Sequence, residues 1–302
     1  MTAQAENIPP VPPAVRTWIL AARLRTLPAA AAPVLVGTSV ALAGDVFDFL
    51  RFFCALMGAL FIQIGTNLAN DYSDARRGAD TEDRLGPVRV TAGGLVPPQH
   101  VLYGIWISFG IATLFGSYLI AVAGWELLVI GVASIIAGVL YTGGPRPYGY
   151  AGMGEIFVFL FFGVVAVAGS AFVQLEEWST VAILASISVG ALASAVLVVN
   201  NVRDRETDER VGKRTLAVRL GPERGRDFYT ATLVVAYAAV LPVAIAHESA
   251  WVLLAWLSAP LAVKLSKTVR QHHDGPTLNG ALAGTAQLEL VFCVLLSAGL
   301  LL

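Results

Sequence analysis

NLANDYSD, residues 67–74, ends a long apolar run that begins near residue 52 and leads into a charged loop. On an α-helix its oxygen-bearing side chains recur at spacings of three and four and therefore share one face; these are Asn67, Asn70, Asp71 and Asp74. Ionisable side chains next to membrane-compatible sequence are costly and usually mark a function. We therefore expect a binding site at the end of this helix.

A second polar stretch, NNVRDRETD, covers residues 200–208 and also follows an apolar run. Asn200, Asn201, Asp204 and Asp208 again form one helical stripe. Two such stripes predict a fold that brings two acidic helix ends together at a membrane surface.

The composition indicates a polytopic membrane protein. Of the 302 residues, 56% are hydrophobic and only 14% are charged, and the mean hydropathy is +0.70, whereas soluble domains average about 25% charged residues. The net charge of −1 gives no reason to expect a nucleic-acid partner. Residues 1–15 are polar and rich in proline, which predicts a disordered tail before a single transmembrane domain over residues 16–302.

The apolar segments predict an all-α fold with nine transmembrane helices, since a spanning helix needs about 20 mostly apolar residues. A basic, amphipathic segment over residues 16–25 precedes them and suits a helix in the membrane interface. The predicted spans cover residues 27–43, 52–70, 101–122, 127–141, 156–173, 181–200, 228–246, 251–266 and 282–301.

Basic residues predict the orientation in the cell membrane. All 20 Lys and Arg residues except Arg51 lie in the N-terminal segment or around the loops that follow the second, fourth, sixth and eighth spans. The positive-inside rule then places the N-terminus in the cytoplasm, and nine spans place the C-terminus outside. The loops expected in the cytoplasm cover residues 71–100, 142–154, 202–227 and 267–280.

Carboxylate and amide oxygens, without a cluster of His or Cys, suit a hard cation such as Mg²⁺. Several carboxylates in a partly dry cavity would repel one another unless metal ions and an anion lay between them. We therefore predict Mg²⁺ ions that grip a diphosphate at the mouth of an apolar helix bundle. The expected metal ligands are Asn70, Asp71, Asp74, Asp80, Asp204 and Asp208, and all of these except Asp80 are also the predicted catalytic residues.

A third stretch, YTGGPRPYGYAGMGE, covers residues 141–155. Its tyrosines offer ring faces to an aromatic acceptor or a developing cation, although its glycines and prolines also suit a purely structural turn. Glu155 either favours the start of the following helix or contacts substrate. The predicted substrate contacts are Asn67, Arg89, Tyr141, Arg146, Tyr148, Glu155, Asn200, Asn201, Lys213 and Arg214.

These motifs resemble those of the UbiA superfamily of intramembrane aromatic prenyltransferases, and the resemblance covers residues 18–301. Within it, the first acidic stretch, the 141–155 loop and the sequence LNGALAGT over residues 278–285 look like the branch that prenylates 1,4-dihydroxy-2-naphthoate. The resemblance implies nine helices around a central cavity that opens to lipid, and a Mg²⁺-dependent transfer from polyprenyl diphosphate with loss of CO2 and diphosphate. It also implies that Asn70 and Asp74 form the first metal-binding pair and that Asp204 and Asp208 form the second.

Two alternatives remain open at the level of sequence. The same fold could prenylate another aromatic acceptor, such as a hydroxybenzoate or homogentisate. A secondary transporter would also carry intramembrane acids, although usually near the bilayer midplane. No residue pattern in the sequence indicates where a tunnel for the prenyl tail would close.

Overall fold

A computed structural model of the chain describes residues 14–79, 85–86 and 88–302. Within them all regular structure is helical, which confirms the predicted all-α class. The predicted division at residue 15 stays a prediction, because most of the expected tail lies outside the described residues. The helices are α1 Ala14–Ala22, α2 Leu27–Leu42, α3 Phe49–Arg76, α4 Pro98–Ala123, α5 Glu126–Leu140, α6 Gly154–Leu175, α7 Thr180–Arg210, α8 Leu216–Ala246, α9 Ala250–Gln271 and α10 Gly275–Leu301.

The protein is a multi-pass membrane protein. Among the described residues, seven helices are long and apolar enough to cross a membrane, and the bent pair α1 and α2 brings this to eight if it counts as one span. The helix α5 is apolar but has only 15 residues, fewer than a straight span needs. Each predicted span overlaps one helix from α2 to α10, while the count of nine spans stays a prediction.

Two helices are longer than the bilayer requires, and this length positions the polar stretches. The helix α3 has 28 residues and α7 has 31, so they measure about 42 and 46 Å, against about 30 Å for the hydrocarbon core. Each begins at a capping side chain: Asp48 accepts from the Arg51 amide, and Ser179 accepts from the Ala182 amide. Their last turns, which carry the acidic stripes, therefore extend beyond the hydrocarbon.

The helix α7 lies at the centre of the largest apolar cluster, against α2, α6, α8 and α10. Its contact with α6 is very close, because a Cβ added at Gly163 would lie 2.6 Å from the Cα atom of Gly190. Small residues let membrane helices approach in this way. At this contact α6 is π-helical over Phe159–Ala168, a widened form that often occurs near functional sites.

The same apolar core contains one acid with no partner among the described residues. Glu289 of α10 is 0% exposed, and neither of its carboxyl oxygens has a hydrogen-bond partner there. A buried polar group that is left unpaired costs about 1–3 kcal/mol. Its neighbours in the cluster include Phe292 and Cys293, so an apolar side chain of similar length suits the position better.

We expect Glu289→Met to raise the melting temperature of the purified protein by several degrees, because about 1 kcal/mol corresponds to roughly 2–4 °C in a chain of this size class. Thermal unfolding in detergent measures the shift. Glu177→Gln, at an exposed acid, serves as the control and should leave the melting temperature unchanged. A lower melting temperature in Glu289→Met would contradict this account of the core.

Candidate active site

A cavity of about 1020 Å³ begins at the ends of α3 and α7 and continues between the helices. Polar side chains line its mouth, and aliphatic and aromatic side chains line the remainder. Both acidic stripes contribute to the mouth, as the sequence predicted. The residues at the mouth include Asn67, Asn70, Asp71, Asp74, Arg89, Tyr150, Asn200, Asn201, Arg203, Asp204, Asp208 and Lys213.

Asp74 is only 2% exposed, and side chains from other parts of the chain contact both of its carboxylate oxygens. The Tyr150 hydroxyl donates to its Oδ1 atom at 2.6 Å, and Lys213 Nζ donates to its Oδ2 atom at 3.2 Å. Arg89 Nη2 lies 3.5 Å from the same Oδ2 atom. These contacts join α3 to three separate loops and place two cations beside the Asp74 carboxylate.

Asn70 and Asp71, which share the stripe with Asp74, form hydrogen bonds with different parts of the chain. Asn70 accepts a 2.9 Å hydrogen bond from the Thr142 hydroxyl, which ties α3 to the loop after α5. Asp71 accepts from the backbone amides of Val90 and Thr91 at 3.0 and 2.9 Å. Asp71 therefore holds the loop that presents Arg89, and metal binding by Asp71 stays a prediction.

The second stripe is organised by Arg203, which is 5% exposed. Its Nε and Nη2 atoms both donate to the Asp204 carboxylate, in the bidentate geometry that gives guanidinium pairs their strength. Nη2 also donates to Asn200 Oδ1 at 2.9 Å, and Nη1 donates to Asn279 Oδ1 at 2.7 Å. Asn279 in turn donates to the Leu85 carbonyl, so this network reaches α10 and the loop after α3.

The loop between α7 and α8 brings Lys213 from the second stripe to the first. Its amide donates to the Asp208 carbonyl at 2.8 Å, while its ammonium group reaches Asp74 and lies 4.7 Å from the centre of the Tyr150 ring. Cations favour such ring faces. Lys213 thus links the two acidic stripes across the mouth of the cavity.

The 141–155 stretch forms one wall of the cavity, where the Tyr148 ring stacks on Phe157 at a centroid distance of 3.9 Å and meets Tyr141 edge-on at 5.4 Å. The Tyr148 hydroxyl donates to the Ala137 carbonyl at 2.8 Å. Burial raises the pKa of the Tyr148 phenol above its ordinary value. A Cβ at Gly149 would lie 2.6 Å from the Tyr141 carbonyl oxygen, so the tight turn needs glycine there.

The oxygen donors at the mouth suit a divalent cation that a substrate helps to coordinate. Within the described part of the chain, no three His, Cys, Asp or Glu side chains come together around one point. The pairs Asn70 with Asp74 and Asp204 with Asp208 nevertheless offer hard oxygens at helical spacing on two facing walls. Mg²⁺ commonly takes only one or two carboxylates and completes its shell with phosphate oxygens and water, and this donor set fits that preference.

Comparison with known proteins identifies the family of this chain. The UbiA prenyltransferase family matches residues 30–281. The chain belongs to this family. The 1,4-dihydroxy-2-naphthoate octaprenyltransferase of Mycobacterium tuberculosis is 40% identical over 283 residues, which cover 94% of this chain and 96% of that protein. The enzyme of the same name from Escherichia coli is 38% identical over 294 residues, covering 95% and 96%.

Solved UbiA structures share the fold at much lower sequence identity. A UbiA homologue from Archaeoglobus fulgidus, bound to GPP and Mg²⁺, is 15% identical, with a TM-score of 0.66 over 93% of this chain and 99% of that chain. The apo structure of a homologue from Aeropyrum pernix K1 gives a TM-score of 0.67 at 13% identity, over 89% and 96%. The helical bundle described above is therefore a UbiA-family fold.

Some of the predicted substrate contacts lie outside the cavity of this UbiA-family protein. The side chains of Arg146 and Arg214 are exposed and do not line it, and the Arg214 amide instead donates to the Tyr150 carbonyl at 2.9 Å. Glu155 is buried behind the wall, where it accepts from Asn201 Nδ2 at 2.9 Å. Arg146, Arg214 and Glu155 therefore do not line this cavity, and their roles as substrate contacts stay predictions.

Asn67 lines the cavity, but its amide group donates at 3.0 Å to the Ala22 carbonyl and to the Thr26 hydroxyl, which holds the connection between α1 and α2. Asp80 lies outside the described residues, and its role as a metal ligand stays a prediction.

Sequence reasoning did not select four residues that the fold brings into the site: Thr142, Tyr150, Arg203 and Asn279. Tyr150 belongs to the 141–155 stretch and Arg203 to the 200–208 stretch. Arg203 directly precedes Asp204, and adjacent residues do not usually share one face of a helix. Asn279 belongs to the 278–285 motif. A count of polar residues within motifs would have included all four, although nothing in the sequence pairs them with their partners.

We expect Tyr150→Phe to lower turnover by roughly tenfold or more, because a hydrogen bond to a charged group contributes about 1.5–3 kcal/mol. The change removes only the hydroxyl that donates to Asp74. Initial rates of prenyl transfer measure the effect. Tyr103→Phe, which alters an exposed tyrosine of α4, is the matched control and should retain full activity. Full activity in Tyr150→Phe would show that this hydroxyl does not support the site.

Proposed function

We propose that this protein transfers a polyprenyl chain from polyprenyl diphosphate to 1,4-dihydroxy-2-naphthoate, with loss of diphosphate and CO2, to give demethylmenaquinol, the hydroquinone form of demethylmenaquinone. The observation that carries the proposal is a mouth of buried acids and cations that opens directly into a large apolar cavity. Such a site fits a ligand with a charged head and a long apolar tail. The naphthoate acceptor rests on the naphthoate octaprenyltransferases that are 36–40% identical over most of the chain.

The mouth provides the groups that bind and activate the diphosphate head. Asp74 and Asp204 offer carboxylates on facing walls, and Lys213, Arg89 and Arg203 already lie beside them. These oxygens would hold Mg²⁺, which would supply positive charge against the diphosphate leaving group. When the head enters, the three cations can shift their hydrogen bonds from carboxylate to phosphate oxygens, which stabilises the charge that develops as the allylic C–O bond breaks.

The wall behind the mouth protects the reacting carbon. Tyr141, Tyr148 and Phe157 form a continuous aromatic surface, and ring faces stabilise a nearby cation. The apolar lining excludes water that would otherwise hydrolyse an allylic cation. An electron-rich ring carbon of the naphthoate then forms the new C–C bond, and the carboxyl group leaves as CO2.

The charge distribution supports a placement in the cell membrane with the mouth at the cytoplasmic face, where both substrates are expected to arrive. Arg89, Arg203 and Lys213 all lie at that end of the bundle, whereas Arg51 lies at the other. This is the arrangement that the positive-inside rule favours. The isoprenoid tail would extend from the mouth into the bilayer region.

An acceptor panel tests the proposal. Purified protein is supplied with Mg²⁺, a mixture of prenyl diphosphates, and either 1,4-dihydroxy-2-naphthoate, 4-hydroxybenzoate or homogentisate. Mass spectrometry should find a prenylated and decarboxylated product only with the naphthoate. Prenylation of another aromatic, with none of the naphthoate, would overturn the acceptor. Solute uptake by proteoliposomes, with no prenyl transfer to any acceptor, would overturn the enzyme class.

A further inference from the structure

Two adjacent asparagines of α7 line the mouth of the cavity, and different partners fix the orientation of their amide groups. Arg203 Nη2 donates to Asn200 Oδ1 at 2.9 Å. A guanidinium group can only donate hydrogen bonds, so the carbonyl oxygen of Asn200 has to face it. The Nδ2 group of Asn200, which is a donor, is therefore the part that remains to meet a ligand.

Asn201 is held in the opposite sense. Its Nδ2 atom donates to Glu155 Oε1 at 2.9 Å, because a carboxylate oxygen is an acceptor. Its carbonyl oxygen, Oδ1, accepts no hydrogen bond from any residue that the structure describes. Asn201 is only 5% exposed and lines the cavity. Buried polar groups normally have partners, so this oxygen points to a ligand that donates a hydrogen bond.

Glu155 is itself held by the packing of α6 on α7. It lies in the first turn of α6, where the helix dipole favours a carboxylate. The Ser194 hydroxyl of α7 donates to the Glu155 carbonyl at 3.1 Å. A Cβ added at Gly154 would lie 3.0 Å from the Leu197 side chain of α7, so the two helices are in close contact here. This packing keeps the Glu155 carboxylate beside Asn201.

The unpaired oxygen of Asn201 lies where the aromatic wall meets the second acidic stripe. Glu155 ends the 141–155 stretch, and a Cβ at Gly154 would also lie 3.2 Å from the Tyr141 ring. Tyr141, Tyr148 and Asn201 all line the cavity. An aromatic ring that packs on this wall would therefore have its substituents near Asn201.

The chemistry of the two substrates decides which of them this oxygen fits. Diphosphate oxygens are anionic acceptors and would repel another acceptor. The proposed naphthoate carries two phenolic hydroxyl groups, and each of them can donate. A hydrogen bond from one hydroxyl would also fix the orientation of the ring toward the prenyl carbon, and such orientation accelerates the reaction of two bound substrates.

We propose that Asn201 Oδ1 accepts a hydrogen bond from a phenolic hydroxyl of the aromatic acceptor, and that Glu155 is a positioning residue that keeps this oxygen turned toward the cavity. The proposal rests on the function proposed above, since it assigns the aromatic acceptor to this wall. It gives the two asparagines different roles, because the donor group of Asn200 suits diphosphate oxygens and the acceptor oxygen of Asn201 does not.

The experiment measures the KM for 1,4-dihydroxy-2-naphthoate, the KM for the prenyl diphosphate and the half-saturating Mg²⁺ concentration. Asn201→Ala should raise the naphthoate KM at least about fivefold, the usual effect of one lost hydrogen bond in a buried site, and should leave the other two values within twofold. Glu155→Met should raise the same KM, because the freed amide can turn its NH2 group to the cavity. Glu155→Gln keeps an acceptor oxygen and should recover most of that loss.

Ser194→Ala is the matched control, because it removes the other hydrogen bond between α7 and Glu155 and its side chain does not line the cavity. It should leave all three values within twofold of wild type. Thermal unfolding verifies that each variant folds. Asn201→Leu, which keeps the size of the side chain, takes the place of Asn201→Ala if the smaller residue does not fold.

Two analogues show whether a hydroxyl is the group that Asn201 binds. 1-Hydroxy-2-naphthoate and 4-hydroxy-2-naphthoate each lack one of the two hydroxyl groups and are tested as competitive inhibitors. For the analogue that lacks the bound hydroxyl, the inhibition constant should be the same in wild type and Asn201→Ala. For the other analogue it should rise at least about fivefold in Asn201→Ala.

An unchanged naphthoate KM in Asn201→Ala, with a higher diphosphate KM or a higher Mg²⁺ requirement, would make Asn201 a diphosphate or metal contact and overturn the proposal. Equal losses with both analogues would also overturn it, and an unchanged naphthoate KM in Glu155→Met would refute the positioning role. If the wild-type protein prenylates none of the acceptors, it is the proposed function that fails. The rise in melting temperature that the naphthoate gives with Mg²⁺ and geranyl diphosphate then tests the site: it should be smaller in Asn201→Ala than in Ser194→Ala, and equal rises contradict the proposal.

Discussion

Asp74→Asn is expected to lower prenyl transfer by roughly 100- to 1000-fold, the usual effect of removing one electrostatic contact from a catalytic site. The substitution keeps the size of the side chain but removes the charge that Tyr150, Arg89 and Lys213 surround. Asn also offers one oxygen instead of two, which weakens any bond to Mg²⁺. Asp204→Asn should have a similar effect, because Asp204 has the corresponding position on the facing wall.

Initial rates at several Mg²⁺ concentrations measure these effects in purified protein. Gel filtration in detergent and thermal unfolding verify that the variants fold. Asp227→Asn is the matched control, because Asp227 is an exposed acid of α8 that pairs with Arg270 on the surface. Wild-type turnover in both Asp74→Asn and Asp204→Asn would refute the assignment of the site.

Arg203→Met is expected to reduce activity nearly as much as the loss of Asp204 itself. The guanidinium group holds both oxygens of Asp204 and connects them to Asn200 and Asn279, so its removal frees a buried carboxylate to turn away from the cavity. Breaking a buried ion pair by removing one partner costs about 3–5 kcal/mol. Arg203→Lys keeps the charge but not the fork of donors, and it should recover only part of the activity.

The Mg²⁺ dependence of the transfer rate shows whether Arg203 positions Asp204 or only stabilises the fold. If Arg203 orients Asp204, the half-saturating Mg²⁺ concentration rises in Arg203→Met and falls back partly in Arg203→Lys. Arg205→Met is the control, because Arg205 is close in sequence but pairs with Glu206 and Glu209. An unchanged Mg²⁺ half-saturation in Arg203→Met, with only a lower melting temperature, would make Arg203 a structural residue.

The acidic stripes could be predicted because they are local. Asn70 and Asp74 lie four residues apart, and so do Asp204 and Asp208, so any helix that contains them must present each pair on one face. The length of the apolar runs likewise determines the class of the fold from the sequence alone. These inferences need only the helical period and the thickness of the bilayer.

The partners of those stripes could not be predicted, because they come from distant parts of the chain. Lys213 reaches Asp74 from a position 139 residues away, and Tyr150 reaches it from 76 residues away. Asp71 looked equivalent to Asp74 in the pattern, yet it holds the amides of Val90 and Thr91. Equal spacing on a helix does not determine which member of a stripe faces the cavity and which faces a loop.

The sequence by itself determined that this chain is a helical membrane protein whose two acidic stripes each lie on one helix face, since hydrophobic length and helical period act within single segments. Only the tertiary structure decided that NLANDYSD and NNVRDRETD face one cavity, that Lys213 links them, and that Arg51 joins the ends of α3, α4 and α6. The physical reason is that these contacts depend on how the helices pack around α7. Packing is a property of side chains that meet across the bundle and has no period along the chain.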